Sequence, residues 1–218
     1  MYKAVIFDLD GTLLNTIDDL AAAANHALTQ LGLPPHTTAE IMSYVGNGIP
    51  MLIRRMVPQP PQDEDIRRAA ELFAPYYAAH KQDCTAPYPG IPEMLDVFAA
   101  HGIKLAVLSN KQHAMTQPII HHYFGDRFAV VQGLADGMPA KPDPTGVNLV
   151  LEALGCAREE VLYVGDSDTD MLTARAAGLT ACGVLWGFRS REVLLQGGAQ
   201  VLCSTVEELQ QLTLTTVL

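Results

Sequence analysis

The sequence predicts an α/β protein: a doubly wound parallel-sheet core, Rossmann-like in layout, with a small α-helical unit inserted near its start. Two observations carry this. Short continuous apolar runs alternate with helix-spaced segments through the second half of the chain, as strands buried on both faces require. Between residues 14 and 88 the spacing is helical throughout and no strand pattern is evident. Residues 1–13 and 89–218 are therefore expected to form the core, and 14–88 a helical cap domain.

The first strand is Tyr2 to Phe7, ended by the Gly11-Thr12 break. From Thr16, apolar residues recur at Ile17, Leu20, Ala21, Ala24, Leu28 and Leu31, a helical face whose start, Thr16 to Asp19, has the form of a capping box. Gly32 and two prolines stop it. Helices are expected at Thr38–Val45, Ile49–Met56 and Glu64–Lys81, the last two separated by the VPQPPQD linker. After APYPGIP the units alternate: helix Pro92–Ala100, strand Ile103–Leu108, helix His113–Tyr123, strand Phe128–Val131, helix Pro144–Leu154. Strand Val161–Val164, helix Thr169–Ala177, strand Thr180–Leu185, and a last strand and helix through Val201 and Leu209 complete the series.

Composition narrows the function. A chain of 218 residues with 49% hydrophobic and 17% charged residues can bury a core, and no apolar run is long enough to span a bilayer. A strand begins within two residues of Met1 with no secretory pattern before it, so a cytoplasmic protein with no membrane partner is expected. The four cysteines are dispersed and suggest neither a zinc site nor a disulfide framework. A net charge of −10 argues against a nucleic-acid partner, so positive charge for any anionic ligand must be local.

In open parallel sheets ligands bind beyond the carboxyl ends of the strands, and here those ends are polar. The first delivers Asp8 and Asp10, the second Ser109 and Asn110, the AKPDP loop Lys141, and VLYVGDSDTD brings Asp166, Asp168 and Asp170. Carboxylates without His or Cys favour a hard, oxygen-loving cation, and Mg²⁺ is the usual one where a substrate adds phosphate oxygens. Lys141 would balance the phosphate charge, and Ser109 with backbone N–H groups would hold its oxygens. An aspartate can be the nucleophile in phosphoryl transfer, and a second carboxylate two residues on can protonate the leaving alkoxide.

DLDGTLLNT, LSN, KPDP and GDSDTD, in this order, resemble the four motifs of the haloacid dehalogenase superfamily of phosphatases. The resemblance covers essentially the whole chain. It implies that Asp8 is the nucleophile and a Mg²⁺ ligand, and that Asp10 is the general acid/base and ligates through its backbone carbonyl. It makes Asp166 the other carboxylate ligand, has Ser109, Lys141 and Asn110 bind the phosphoryl group, and lets Asp170 support Lys141 or the metal from behind. Asp10 points to phosphomonoester hydrolysis, because the carbon-attacking dehalogenases lack that carboxylate and the magnesium site.

The inserted unit resembles the C1 cap, which closes over the site and helps to choose the substrate. YVGNGIPMLIRR and NTIDDLAAAANHAL are similar to the phosphoglycolate phosphatase branch. That similarity makes Gly46, Asn47 and Gly48 a substrate-binding loop, with Arg54 or Arg55 either meeting a substrate carboxylate or facing solvent. The expected partner is a small phosphorylated metabolite, the oligomeric state a monomer or a homodimer.

Bland readings stand beside these. Asp168 reads as an N-cap, Asp143-Pro144 as an N-cap and first helical residue, and Gly46 and Gly48 as turn glycines. His113, His121 and His122 read as surface residues, and Trp186 and Phe188 as packing. Among other functions, a phosphoacceptor signalling module is disfavoured by the position of DxDGT and by the insert. A phosphosugar mutase, pyrophosphatase or nucleotidase of the same superfamily remains open on sequence.

Overall fold

A computed structural model of the protein describes residues 2–215. The chain runs β1 (Ala4–Phe7), β2 (Leu14–Asn15), α1 (Ile17–Gln30), α2 (Thr38–Tyr44), α3 (Ile49–Met56), α4 (Asp63–His80), β3 (Ala86–Pro87) and α5 (Ile91–Ala100). It continues with β4 (Lys104–Gln112), α6 (His113–Phe124), β5 (Val130–Leu134), α7 (Thr145–Leu154), β6 (Val161–Gly165) and α8 (Asp168–Ala176). β7 (Thr180–Val184), α9 (Arg191–Gly197), β8 (Val201–Cys203) and α10 (Val206–Thr215) end it.

Two compact units result, residues 2–14 with 87–215, and Asn15–Ala86. The first holds a six-stranded, all-parallel sheet in the order β5-β4-β1-β6-β7-β8. Residue period two divides its side chains between two layers. Val5, Phe7, Leu105, Val107 and Val164 pack with Leu95, Phe98, Ile120 and Leu209 of α5, α6 and α10. On the other face Ala4, Ile6, Leu108 and Tyr163 pack with Val150, Met171 and Leu194 of α7, α8 and α9. With each large apolar side chain contributing about 1.5–3 kcal/mol on burial, these layers drive the fold.

From β1 the chain first builds outward through β4 and β5, then returns to β6 and builds the other way. That reversal places β1 centrally and opens a crevice at the carboxyl ends of its neighbours. The strand and helix rhythm is as the sequence predicts, with two omissions. The seven-residue α9 is too short to show a period, and β2 and β3 are two-residue strands that pair as a ribbon. The expected strand Phe128–Val131 lies at Val130–Leu134, and the strand expected to stop at Leu108 continues to Gln112.

In the inserted unit α1 packs along α4, burying Leu20, Ala24 and Leu28 on one and Ala69, Phe73 and Tyr77 on the other. The expected capping box at Thr16 does not form: the Thr16 side chain makes no cap hydrogen bond. Asp19 turns instead to the far end of the unit, where its carboxylate accepts from the Cys84 N–H at 2.9 Å, the Thr85 N–H at 2.9 Å and the Thr85 hydroxyl at 2.7 Å. A tertiary set of three donors has outcompeted one local cap. Real capping boxes stand at Thr37 with Glu40 and at Ser167 with Asp170. Asp168 is thus the first residue of α8 rather than its cap, and α7 begins at Thr145, one residue later than the Asp143-Pro144 pattern suggests.

Asp19 ties together segments about 65 residues apart while 3% exposed. Asp19→Ala, which strands the buried Thr85 N–H and hydroxyl, is expected to cost about 2–4 kcal/mol. Urea unfolding should show the midpoint falling at unchanged slope.

Candidate active site

The site forms where β1, β4 and β6 end. Asp8 prolongs β1 by one ladder bond, its N–H donating to the Val164 carbonyl at 2.9 Å. The chain then folds over Leu9, which is fully buried and whose carbonyl accepts from the Leu13 and Leu14 N–H groups at 3.0 and 3.1 Å. Gly11 adopts a φ of 89°, and a Cβ there would overlap the Asp166 carboxylate. Glycine at this turn therefore serves both the backbone and the approach of Asp166.

Lys141 is the centre of the cluster. Its Nζ donates to Asp8 Oδ1 at 2.8 Å, Asp170 Oδ1 at 2.7 Å and the Leu108 carbonyl at 3.2 Å. Asp8 Oδ2 is left without a hydrogen bond among the described residues. Burial is the largest influence on the amine and favours its neutral form, but Asp170 and Asp8 together outweigh it and hold it charged well above the ordinary lysine range.

Asp170, fully buried, is spent on structure: Oδ1 also accepts from the Tyr163 hydroxyl at 3.3 Å, and Oδ2 from the Ser167 N–H at 3.1 Å and hydroxyl at 2.6 Å. Its Oδ1 thus stands directly against the Lys141 ammonium.

Asp166 is fixed from two parts of the chain. The Thr12 hydroxyl donates to Oδ1 at 3.1 Å and the Phe188 N–H to Oδ2 at 2.7 Å, while a Cβ on Gly187 would overlap its Cβ. The Trp186 indole N–H donates to the Thr12 carbonyl at 3.0 Å, joining the same loops. Trp186 does pack against the core, but Phe188 contributes a backbone donor that a packing reading misses. The Tyr88 phenol is driven upward in pKa by burial, then by Asp166 and Asp10, and stays neutral beside them.

Asn110 also has a positioning role. Its Oδ1 accepts from the Lys141 N–H at 2.8 Å and its amide donates to the Lys141 carbonyl at 3.3 Å, a reciprocal clasp on the lysine loop. Ser109 is 3% exposed, and its Oγ accepts from the Lys111 N–H at 3.2 Å. Sequence reading passed over Lys111. Its Nζ lies 2.9 and 3.1 Å from the two Asp10 carboxylate oxygens. The signal was present as a lysine directly after Ser109-Asn110, but KQH there reads as the start of a helix.

One oxygen from each of Asp8, Asp166 and Asp170 lies within 4.8 Å of the others. Burial first, then the mutual repulsion of these carboxylates, raises Asp8 to about 7 and Asp166 well above the carboxylate range. An all-oxygen donor set under such electrostatic load fits a hard divalent cation. The Asp10 carboxylate stands outside that group, paired with Lys111.

The other three expected site residues belong to the inserted unit. Gly46 and Gly48 have φ of 116° and 81°, and Gly48 caps α3. Arg55 donates to the Tyr44 carbonyl at 2.8 Å and to Asn47 Oδ1 at 2.7 Å, so it braces this loop, while Arg54 is exposed. Of the three histidines expected at the surface, His121 and His122 are exposed, but His113 is half-buried and its Nδ1 accepts from the Gly133 N–H at 3.2 Å.

A doubly wound parallel sheet whose strand-end loops gather aspartates around a buried lysine defines an α/β protein with an acidic site at the carboxyl edge of its sheet. The family model described as haloacid dehalogenase-like hydrolase matches residues 5–184, and the chain belongs to that family. It is 38% identical over 195 residues to a phosphoglycolate phosphatase of Cereibacter sphaeroides (strain ATCC 17025 / ATH 2.4.3), covering 87% of this chain and 88% of that protein. It is 35% identical over 206 residues to a phosphoglycolate phosphatase of Neisseria meningitidis serogroup A, covering 90% and 86%. A solved structure of a predicted phosphoglycolate phosphatase from Haemophilus somnus 129pt superposes with a TM-score of 0.89 at 28% identity, covering 97% of this chain and 98% of that one. The protein is a phosphatase of this family. Among the described residues no helix is long and apolar enough to cross a membrane.

The raised Asp8 sets a pH dependence in protein stripped of divalent cations. Folded Asp8 keeps its proton up to about 7 whereas an unfolded aspartate loses it near pH 4, so stability should fall as pH rises through that window. Asp166 acts with the same sign. In EDTA, Asp8→Asn should gain on the wild type as pH rises from about 4 to 7, as thermal melts at several pH values will report.

Proposed function

We propose that the protein is a Mg²⁺-dependent phosphomonoester hydrolase that works through an aspartyl-phosphate on Asp8, with phosphoglycolate as its preferred substrate. The observation that carries this is the state of Asp8: one oxygen held by Lys141 at 2.8 Å, the other without a hydrogen bond among the described residues, and Asp10 two residues further on. The substrate preference is supported by the names of the relatives at 38% and 35% identity.

Mg²⁺ held by Asp8 and Asp166, with the Asp10 carbonyl, would supply charge neutralisation for the entering phosphoryl group and for Asp8. Lys141 balances a further negative charge, and Ser109 with the adjoining N–H groups orients the phosphoryl oxygens. Asp8 Oδ2 attacks phosphorus in line, the ester P–O bond breaks, and Asp10 gives its proton to the departing alkoxide. Asp10, then a carboxylate, takes a proton from the water that cleaves the acyl phosphate, which frees phosphate and restores Asp8. A cytoplasmic site of action fits a small metabolite as the partner.

Phosphate release from phosphoglycolate, sugar phosphates, nucleotides and pyrophosphate, each with Mg²⁺ or EDTA, tests this reading. Asp8→Asn should lower kcat roughly 10⁴-fold or more, and EDTA should abolish turnover. Asp10→Asn should cost about 10²–10⁴-fold on an alkyl ester and less on p-nitrophenyl phosphate, whose leaving group needs no proton. Full turnover by Asp8→Asn would refute the nucleophile, and metal-independent turnover would refute the cation.

A further inference from the structure

Lys111 has no part in the chemistry above, yet it is among the most deliberately placed side chains in the core unit. Its side chain is 3% exposed, and its ammonium engages both oxygens of Asp10, at 2.9 and 3.1 Å. Its backbone is clamped at both ends: the N–H donates to Ser109 Oγ at 3.2 Å, and the carbonyl accepts from the Thr116 hydroxyl at 3.1 Å. From the neighbouring strand Gly133 comes so close that a Cβ there would lie 2.7 Å from the Lys111 carbonyl.

This presentation comes from a bulge. Leu108 pairs with Gln132 and Gln112 with Leu134, so four residue steps of β4 oppose two of β5. The surplus residues fall among Ser109, Asn110 and Lys111, and the interrupted ladder lets consecutive side chains serve one rim.

The position of the ammonium limits what it can touch. For Asp10 to serve the ester oxygen, one of its oxygens must approach within about 2.5–3.0 Å of that atom. Since Lys111 Nζ stands 2.9 Å from Asp10 Oδ1, it then lies within about 6 Å of the ester oxygen. A carboxylate on the carbon that bears this oxygen has its own oxygens about 3 Å away, by ordinary bond lengths. The two charges can thus meet in a single N–H···O bond. Both Asp10 oxygens are occupied by Lys111, so turning one toward the ester oxygen releases a contact of a buried ammonium, which an anion on the substrate can replace.

We propose that Lys111 determines specificity by binding a carboxylate on the carbon that bears the phosphate ester, so that the enzyme selects 2-phosphooxy carboxylates over simple alkyl phosphates. The assignment rests on the role of Asp10 given under the proposed function. It explains selection by a rigid residue of the core unit.

The test compares 2-phosphoglycolate with ethyl phosphate, the same ester with a methyl group in place of the carboxylate, in the wild type, Lys111→Met, Lys111→Gln and Lys111→Arg. The wild type should favour phosphoglycolate in kcat/KM. Both neutral variants should reduce that preference roughly 30-fold or more, mainly through KM, as loss of one partner of a buried charge pair does. Lys111→Arg should keep most of it. Thermal melts identify a variant that fails to fold, and the Gln substitution, which keeps a polar end, gives the second reading of the same ratio. An unchanged ratio, whether both esters slow together or neither does, overturns the proposal and leaves Lys111 as a support for Asp10. Absence of a wild-type preference overturns it as well. Asp10→Asn separates the two layers: full turnover of both esters by that variant refutes the acid role itself, whereas a large Asp10 effect with an unchanged Lys111 ratio refutes only the assignment to Lys111.

Discussion

Lys141 holds its buried ammonium between Asp8 at 2.8 Å and Asp170 at 2.7 Å, and the rest of the arrangement follows from keeping that charge there. A buried ammonium is costly unless its donors are met, and here three acceptors meet them. One comes from the residue that prolongs β1, one from within β4 and one from the start of α8, so the lysine also ties β1, β4 and α8 together. Asn110 supports this from the side by clasping both the N–H and the carbonyl of Lys141. Asp170 is itself locked by Ser167 and Tyr163, which gives the lysine one partner that cannot leave.

The same geometry leaves the acidic members under tension. Asp8 and Asp166 lose hydration and face other carboxylates, and a single ammonium does not offset both effects. That excess is what a hard cation relieves, and it is why so much neutral material surrounds Asp166: a hydroxyl, a backbone N–H and two glycines that leave room for it. Aligned this way, the carboxylate needs no reorganisation to accept a ligand.

The bulge in β4 divides labour between two lysines. A regular strand would send Ser109 and Lys111 to one face and Asn110 to the other. With the ladder interrupted, Ser109 stays at the rim, Asn110 reaches the Lys141 loop and Lys111 reaches Asp10. One lysine thereby holds Asp8 and the other Asp10. In the inserted unit, Arg55 shows a comparable economy, holding the Gly46–Gly48 loop through Tyr44 and Asn47.

The sequence by itself determined the alternation of strands and helices and which polar residues stand at strand ends, because apolar period and turn residues are local properties of the chain. Asp8, Asp10, Ser109, Lys141, Asp166 and Asp170 were legible on that basis as residues of one rim. Short elements escaped: α9 and the β2 and β3 ribbon contain too few residues to express a period. Thr16 and Asp19 misled for a different reason, since a local cap lost to three donors about 65 residues away. Tertiary structure alone decided the pairings: Asp170 with Lys141, Lys111 with Asp10, Phe188 with Asp166. Those depend on strand register, on one bulge and on loops that meet across 22 to 101 residues of chain, and no periodicity in the sequence encodes them.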